Sequence, residues 1–246
     1  MRSRLPILML LVGCGPSPLD SGQPDPCEGP DARSMCRQPV LSPEYYIAES
    51  DGYFDTMDYT ADLTREMPYA EQVARWEWPP WLLLTAFGRE NIEFTDTLLR
   101  WYPSVVRERD CRAFDTQPFG RCRVVFYYDA HDGLPCPIYE EFTFNDDGEI
   151  TFIEAWSDVP GLLPMGDDDP WAEDADNGRL STRIPGLGTS LGDIDLYGAA
   201  MADAADDDPD VADFVRRADD WYNTWVETFA AAGDEMWTVG CGWDLR

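Results

Sequence analysis

Two glutamates in one predicted hairpin have the types and spacing to move a proton. Asp146-Asp147-Gly148 lies between two runs of alternating aromatic and β-branched residues, Pro137 to Asn145 and Glu149 to Asp158. A three-residue loop of this kind wants a residue in the left-handed region, which glycine supplies at little cost. With Asn145 facing Glu149, counting outward pairs Phe144 with Ile150, Phe142 with Phe152, Glu140 with Glu154 and Ile138 with Trp156. Side chains alternate along a strand, so this register puts all eight on one largely aromatic face. The opposite face carries Tyr139, Glu141, Thr143, Thr151 and Ile153 and is more polar. The aromatic face is therefore expected to turn inward and take Glu140 and Glu154 with it. Like charges facing each other across a sheet repel, and desolvation raises a carboxyl pKa, so one of the two would be protonated near neutrality. A raised carboxyl in an apolar site is suited to general acid/base work. Tyr128, Phe142, Phe152 and Trp156 would line such a site, with Asp129 next to it. A structural ion pair with Arg123 or another arginine is the competing outcome.

The elements that must hold these groups are helices followed by strands. Ala70 to Trp78 suggests a short helix ended by Pro79-Pro80, followed by helical pieces at 81–87 and 92–102 broken near Gly88. Four strands are expected at 105–114, 121–130, 137–145 and 149–158. Beyond Pro160 a Gly-, Pro- and Asp-rich passage leads to a helix from about Pro209 to Ala232. Asp208 would cap it, Val211, Phe214, Ala218, Trp221, Trp225 and Phe229 form its apolar stripe, and Gly233 would end it. The aspartates at 167–169 and 174–178 match no complete EF-hand loop, which leaves a calcium-stiffened surface protein as a minor alternative. His131, the only histidine, falls beside a turn, and no phosphate-binding glycine loop, nucleophile elbow or paired Cys-x-x-Cys is present.

Charge and cysteine narrow the class. The 246 residues carry 18 arginines, no lysine and 48 acidic residues, for a net charge of −30. Such a field excludes nucleic acid and anionic head groups and leaves cations, basic proteins or neutral small molecules as partners. Setting Cys14 aside leaves six cysteines, Cys27, Cys36, Cys111, Cys122, Cys136 and Cys241, an even number that reads as disulfides in an exported chain. Fifteen pairings are open. Cys111 with Cys122 is favoured because they flank the turn-rich segment 115–120, leaving Cys27 with Cys36 and Cys136 with Cys241. No cofactor and no metal site is expected.

The first residues carry two arginines, a short apolar run from Leu5 to Val12, and Leu11-Val12-Gly13-Cys14. That order is a secretory signal too short to span a bilayer. Its ending resembles the lipobox of bacterial lipoproteins, which implies cleavage before Cys14, a diacylglycerol on its thiol, and a protein anchored to a bacterial membrane, either the outer membrane or the cell surface. Residues 14–42, rich in Pro, Gly, Ser and Asp, would then be a tether. Helices followed by antiparallel strands that end in Phe142-Thr-Phe-Asn-Asp-Asp-Gly-Glu-Ile-Thr-Phe-Ile-Glu-Ala-Trp-Ser-Asp158 resemble the NTF2-like fold and its SnoaL-like branch. The resemblance spans about 70–158. It implies an α+β cone over residues 43–160, with 161–246 as an acidic loop and a helical extension packed on it. A START-like (SRPBCC) helix-grip is the rival fold, given the long C-terminal helix. By the NTF2-like resemblance the cone would hold an apolar small molecule or a protein partner, or would serve as an isomerase, cyclase or hydrolase acting through a pocket glutamate.

Overall fold

The computed structural model describes residues 36–62, 65–81, 84–117, 119–166, 169–172 and 178–245. Cys14, the first part of the tether, and Cys27 lie outside them, as do most of the aspartates considered for calcium. The fold is α+β, a curved six-stranded mixed sheet with helices on it.

Helix α1, Pro43–Tyr53, starts where Ser42 accepts a hydrogen bond from the Tyr45 amide and Pro43 takes the first turn, where its missing N–H costs nothing. It turns Tyr46 and Tyr53 fully inward. The next element corrects an expectation, because residues 69–77 form strand β1, Tyr69–Glu77, and not a helix. β1 pairs in parallel with the last strand of the sheet and is covered on both faces, so the polar alternation that marks a half-exposed strand is missing. The segment expected as a second helical piece instead makes a turn into a two-residue strand, β2, Ala86–Phe87, antiparallel to β1. Helix α2, Arg89–Leu99, follows Gly88, whose φ of 89° suits glycine.

Four strands then run antiparallel: β3 Ser104–Ala113, β4 Gly120–Tyr128, β5 Pro135–Phe144 and β6 Ile150–Ser157. They lie within a few residues of their expected places. The spatial order is β2-β1-β6-β5-β4-β3. At the β5–β6 turn the Asn145 amide donates to the Glu149 carbonyl, and Gly148 has φ 82°. A Cβ at Gly148 would sit 2.5 Å from a Leu41 methyl, so both conformation and space call for glycine.

One residue past that turn the register departs from the count made on the sequence. Phe144 faces Ile150 as expected, but Thr143 faces Phe152, leaving Thr151 as an extra residue in β6. A bulge of one residue sends every later side chain to the other face. Phe142 thus faces Ile153, Glu140 faces Ala155, and Glu154 stands opposite Glu141. Glu140 and Phe142 stay on the inner face, whereas Phe152, Glu154 and Trp156 move to the outer one.

The inner face is closed by α1, which packs on β3 and β4, and by α2, which packs on β1. Tyr46, Tyr53, Phe54, Phe119, Phe142 and Phe144 are its buried aromatic body. The outer face is covered by the chain's own C-terminal third. Leu180, Ile184, Leu187, Ile194 and Leu196 come from the connecting segment, and Val211 and Phe214 from α4, over Ala74, Trp76 and Phe152. Each fully buried side chain of this size contributes about 1.5–3 kcal/mol, so the extension belongs to the fold. It includes α3, Ala199–Asp207, and α4, Pro209–Asp219, on the outer side, while α5, Trp221–Gly240, packs on the inner core through Met236 and Trp237. Asp208 caps α4 by accepting from the amides of Asp210 and Val211. The single helix expected there is broken at Asp220, while Gly233, with φ 51° and ψ −158°, ends the first helical piece of α5 as expected and a second piece follows it to Gly240. The one-piece C-terminal helix of the helix-grip alternative is therefore not formed.

Two disulfides pair as favoured from the sequence. Cys111–Cys122 joins directly opposed residues of β3 and β4, and Cys136–Cys241 ties β5 to the end of α5. Cys36 is also disulfide-bonded. Such bonds persist in an oxidising, extracytoplasmic setting. Among the described residues no helix is long and apolar enough to cross a membrane.

Candidate functional site

Strand β1 places Arg75 and Glu77 on the inner face because they are two residues apart. Arg75 reaches across to β5, where its guanidinium donates to both oxygens of Glu140 at 3.0 and 3.3 Å. It also donates to Glu77 at 2.9 Å and to the Tyr53 hydroxyl. Glu77 in turn accepts from the Leu84 amide at 3.2 Å. Glu140 is wholly buried, and that burial pushes its pKa up to about 7 against the pull of Arg75. Burial would lower Arg75, but Glu140 and Glu77 more than offset it and hold its proton more tightly.

A third acid belongs to the same side of the sheet. Asp96 of α2 accepts from the Tyr69 hydroxyl at 2.8 Å, and its other oxygen is buried with no hydrogen-bond partner among the described residues. Burial raises Asp96 to about 7, opposed by the Tyr69 hydrogen bond and by Arg75. Burial also raises the Tyr69 and Tyr128 phenols well above their ordinary range. One buried guanidinium is therefore bonded to two buried carboxyls, and its charge also opposes the rise at a third, Asp96.

The space inside is small. The cavity beside Arg75, Glu140, Tyr128 and Phe126 is about 30 Å³, and a second one beside Trp81, Tyr128 and Trp237 is also about 30 Å³. On that measure a single water needs about 10–15 Å³, so each space has room for one or two waters. The end of the inner face near Tyr128 is filled by Trp237, 4.5 Å away between ring centroids, with Tyr102 stacked on the indole at 4.9 Å. His131 is half-buried there, its Nε2 2.5 Å from the Tyr102 hydroxyl, and Asp129 is exposed. Arg123 pairs with Asp158 at 2.6 Å and with neither glutamate.

The other predicted acid, Glu154, lies on the outer face. Its carboxylate accepts from the Trp78 indole and the Leu180 amide, both at 2.6 Å, and from the Ser181 amide at 2.9 Å. Burial raises its pKa, Glu141 adds to this, and Arg179 and these donors oppose it. Glu141 beside it binds Arg121 at 2.7 Å and Arg179. Two acids and two arginines, all buried, thus pin the segment 178–181 to the sheet. The predicted pocket-lining residues divide in the same way. Tyr128 and Phe142 belong to the inner core, whereas Phe152 packs on Phe214 and Trp156 stacks on Tyr139.

Larger openings lie on the surface. A cleft of about 390 Å³ runs between α2 and the residues leading into β1, with Tyr69 and Asp96 lining it along with Glu93, Arg65, Arg89 and Arg100. A shallower groove of about 510 Å³ follows α5 past Arg217, Glu235, Met236 and Val239. Among the described residues, no three His, Cys, Asp or Glu side chains are placed to hold a metal ion.

Sequence reasoning reached Glu140 and missed Arg75, Glu77, Tyr69 and Asp96. The usable signal was the Arg-Trp-Glu alternation at 75–77, which places two charges on one face once the segment is read as a strand. Asp96 had none, since an acid on an amphipathic helix is ordinarily solvated. A scan of protein-family models finds no match to this chain, and a search of curated proteins finds no relative.

Proposed function

We propose that this chain is an exported, lipid-anchored binding protein built on an NTF2-like cone, with the lipid carried on Cys14. Its anchor rests on the Leu11-Val12-Gly13-Cys14 ending and the tether-like composition up to residue 42. Export is supported by the paired cysteines. The NTF2-like reading is supported by two helices packed into the inner face of a curved sheet. The observation that carries binding over catalysis is the state of Glu140. A general acid or base needs substrate within hydrogen-bond reach. Both Glu140 oxygens are taken by Arg75, and the space beside them is about 30 Å³. The same small volume argues against an apolar ligand inside the cone and favours recognition at a surface cleft.

The test is expression in a bacterial host with detergent-phase partitioning. Wild-type protein should enter the detergent phase and carry a mass increment for diacylglycerol, and Cys14→Ser should leave it in the aqueous phase. Equal partitioning of the two would overturn the anchor. A cavity search by xenon or small-apolar-ligand binding in solution that fills the interior would overturn the preference for a surface cleft.

A further inference from the structure

The cleft between α2 and the approach to β1 combines features that no structural role absorbs. Asp96 on its wall is 7% exposed, and one carboxyl oxygen has no hydrogen-bond partner among the described residues. A buried polar atom in that condition is costly, and a donor that reached it would relieve the cost. Arg89 is held only loosely, 3.7 Å from Glu149, and its Nε is likewise without a partner among the described residues. Arg100 is fixed by the carbonyls of Asp55, Thr56 and Ala61 at 3.2–3.5 Å, so its charge is positioned by neutral groups. Arg89, Glu93, Asp96 and Arg100 recur at the spacing of one helix face, and Asp96 and Arg100 are separated by about 6 Å of helix rise.

The two signs are interleaved. A simple anion would meet Glu93 and Asp96 along with the arginines, and a simple cation would meet the arginines along with the acids. A small molecule bearing both charges about 3 Å apart would satisfy each with its opposite, within a volume of about 390 Å³ that suits a ligand of a dozen or so heavy atoms.

We propose that this cleft binds a free α-amino acid, its ammonium on the Asp96 carboxylate and its carboxylate on Arg100. The inference rests on the reading of the chain as a binding protein and is independent of the anchor. The unpartnered oxygen is covered in the free protein, so binding turns the carboxyl about its terminal bond and exchanges the hydrogen bond from the Tyr69 hydroxyl for one from the ligand's ammonium. Binding requires Asp96 to be ionised. The charged and titratable groups around it are Glu93, Arg89 and Arg100 along α2, Arg65 and Glu66 ahead of β1, Tyr69 and Arg75 on β1, and Glu140 on β5.

The experiment screens the twenty free amino acids against the full chain by thermal shift at pH 8 and follows hits by calorimetry. Acetate, ethylamine and glycine betaine, which lack one charge or the N–H donors, serve as controls. At least one amino acid should bind saturably and none of the controls should match it. Affinity should fall roughly tenfold from pH 8 to pH 6, because a group titrating near 7 goes from ~90% to ~10% ionised. Asp96→Asn should abolish binding while remaining folded, and Arg89→Gln, at the looser end, should weaken it a fewfold. No binding by any amino acid, or an affinity unchanged by pH and by Asp96→Asn, would overturn the site. If the amino acids fail and another compound in a general small-molecule screen stabilises the protein, this site falls and the binding-protein reading stands. If both screens fail, both readings fall.

Discussion

Replacing Asp96 by asparagine should make stability cross that of the wild type as pH changes. In the folded protein Asp96 titrates near 7, against an ordinary value of 3.8. The native state therefore binds more protons than the unfolded chain between those limits, and linkage makes stability fall as pH rises through the window. At 1.36 kcal/mol per pH unit, a gap of roughly three units is worth about 4 kcal/mol, present below about pH 4 and lost above about pH 7. The group is 7% exposed, so solvent screening takes little from this figure. Asparagine does not titrate and keeps an oxygen for the Tyr69 hydroxyl, but it leaves a buried amide short of an acceptor, at a cost of about 1–3 kcal/mol. The variant should be less stable than wild type by that cost near pH 4 and more stable by about 1–3 kcal/mol at pH 8. For a chain of this size each kcal/mol moves Tm by about 2–4 °C. Urea unfolding of the disulfide-intact proteins at several pH values measures both curves. Parallel curves for the two proteins would refute the assignment of Asp96 as a buried, late-titrating carboxyl.

Arg75→Met should cost about 3–5 kcal/mol, because it leaves Glu140 and Glu77 buried without their cation. Adding Glu140→Gln should recover part of the loss, and a single variant as stable as wild type in urea would show that Arg75 does not hold the inner face together. Removing the Cys136–Cys241 bond by Ala substitution should destabilise by about 4–5 kcal/mol on chain-entropy grounds, given its separation of 105 residues. The Cys111–Cys122 bond, separated by 11, should be worth about 3 kcal/mol, and calorimetric melting that reversed this order would argue against the chain-entropy account.

The sequence was legible where a local rule decides the outcome. The Asp146-Asp147-Gly148 turn needs one positive φ, and the strands on either side are rich in β-branched and aromatic residues. Cys111 and Cys122 flank the next turn and so meet across it. Legibility ends where a distant partner decides. β1 was hidden because its neighbour β6 lies some eighty residues away and both of its faces are covered. The Thr151 bulge has no composition signal of its own, yet it alone sends Glu154 to the outer face and separates it from Glu140. α1 had a usable start in Ser42-Pro43, but its apolar residues make no clear stripe. The inward position of Glu140 followed from alternation along its own strand, which the bulge in β6 leaves undisturbed, and its partner Arg75 could not be found while β1 was read as a helix.

The bond between Cys136 and Cys241 also determines how the protein bears load. Tension applied along the chain from either side of this bond passes along the backbone to Cys136, crosses to Cys241 and leaves through the residues beyond it. Everything from β5 through α5 hangs in a covalent ring outside that path, and the short loop between Cys111 and Cys122 is bypassed as well. A processive protease or a pulling motor working from the C-terminal side would stall on reaching the crosslink at Cys241. The outer layer and the acid–arginine cluster beneath it are thus shielded from mechanical unravelling until a reductant opens the ring.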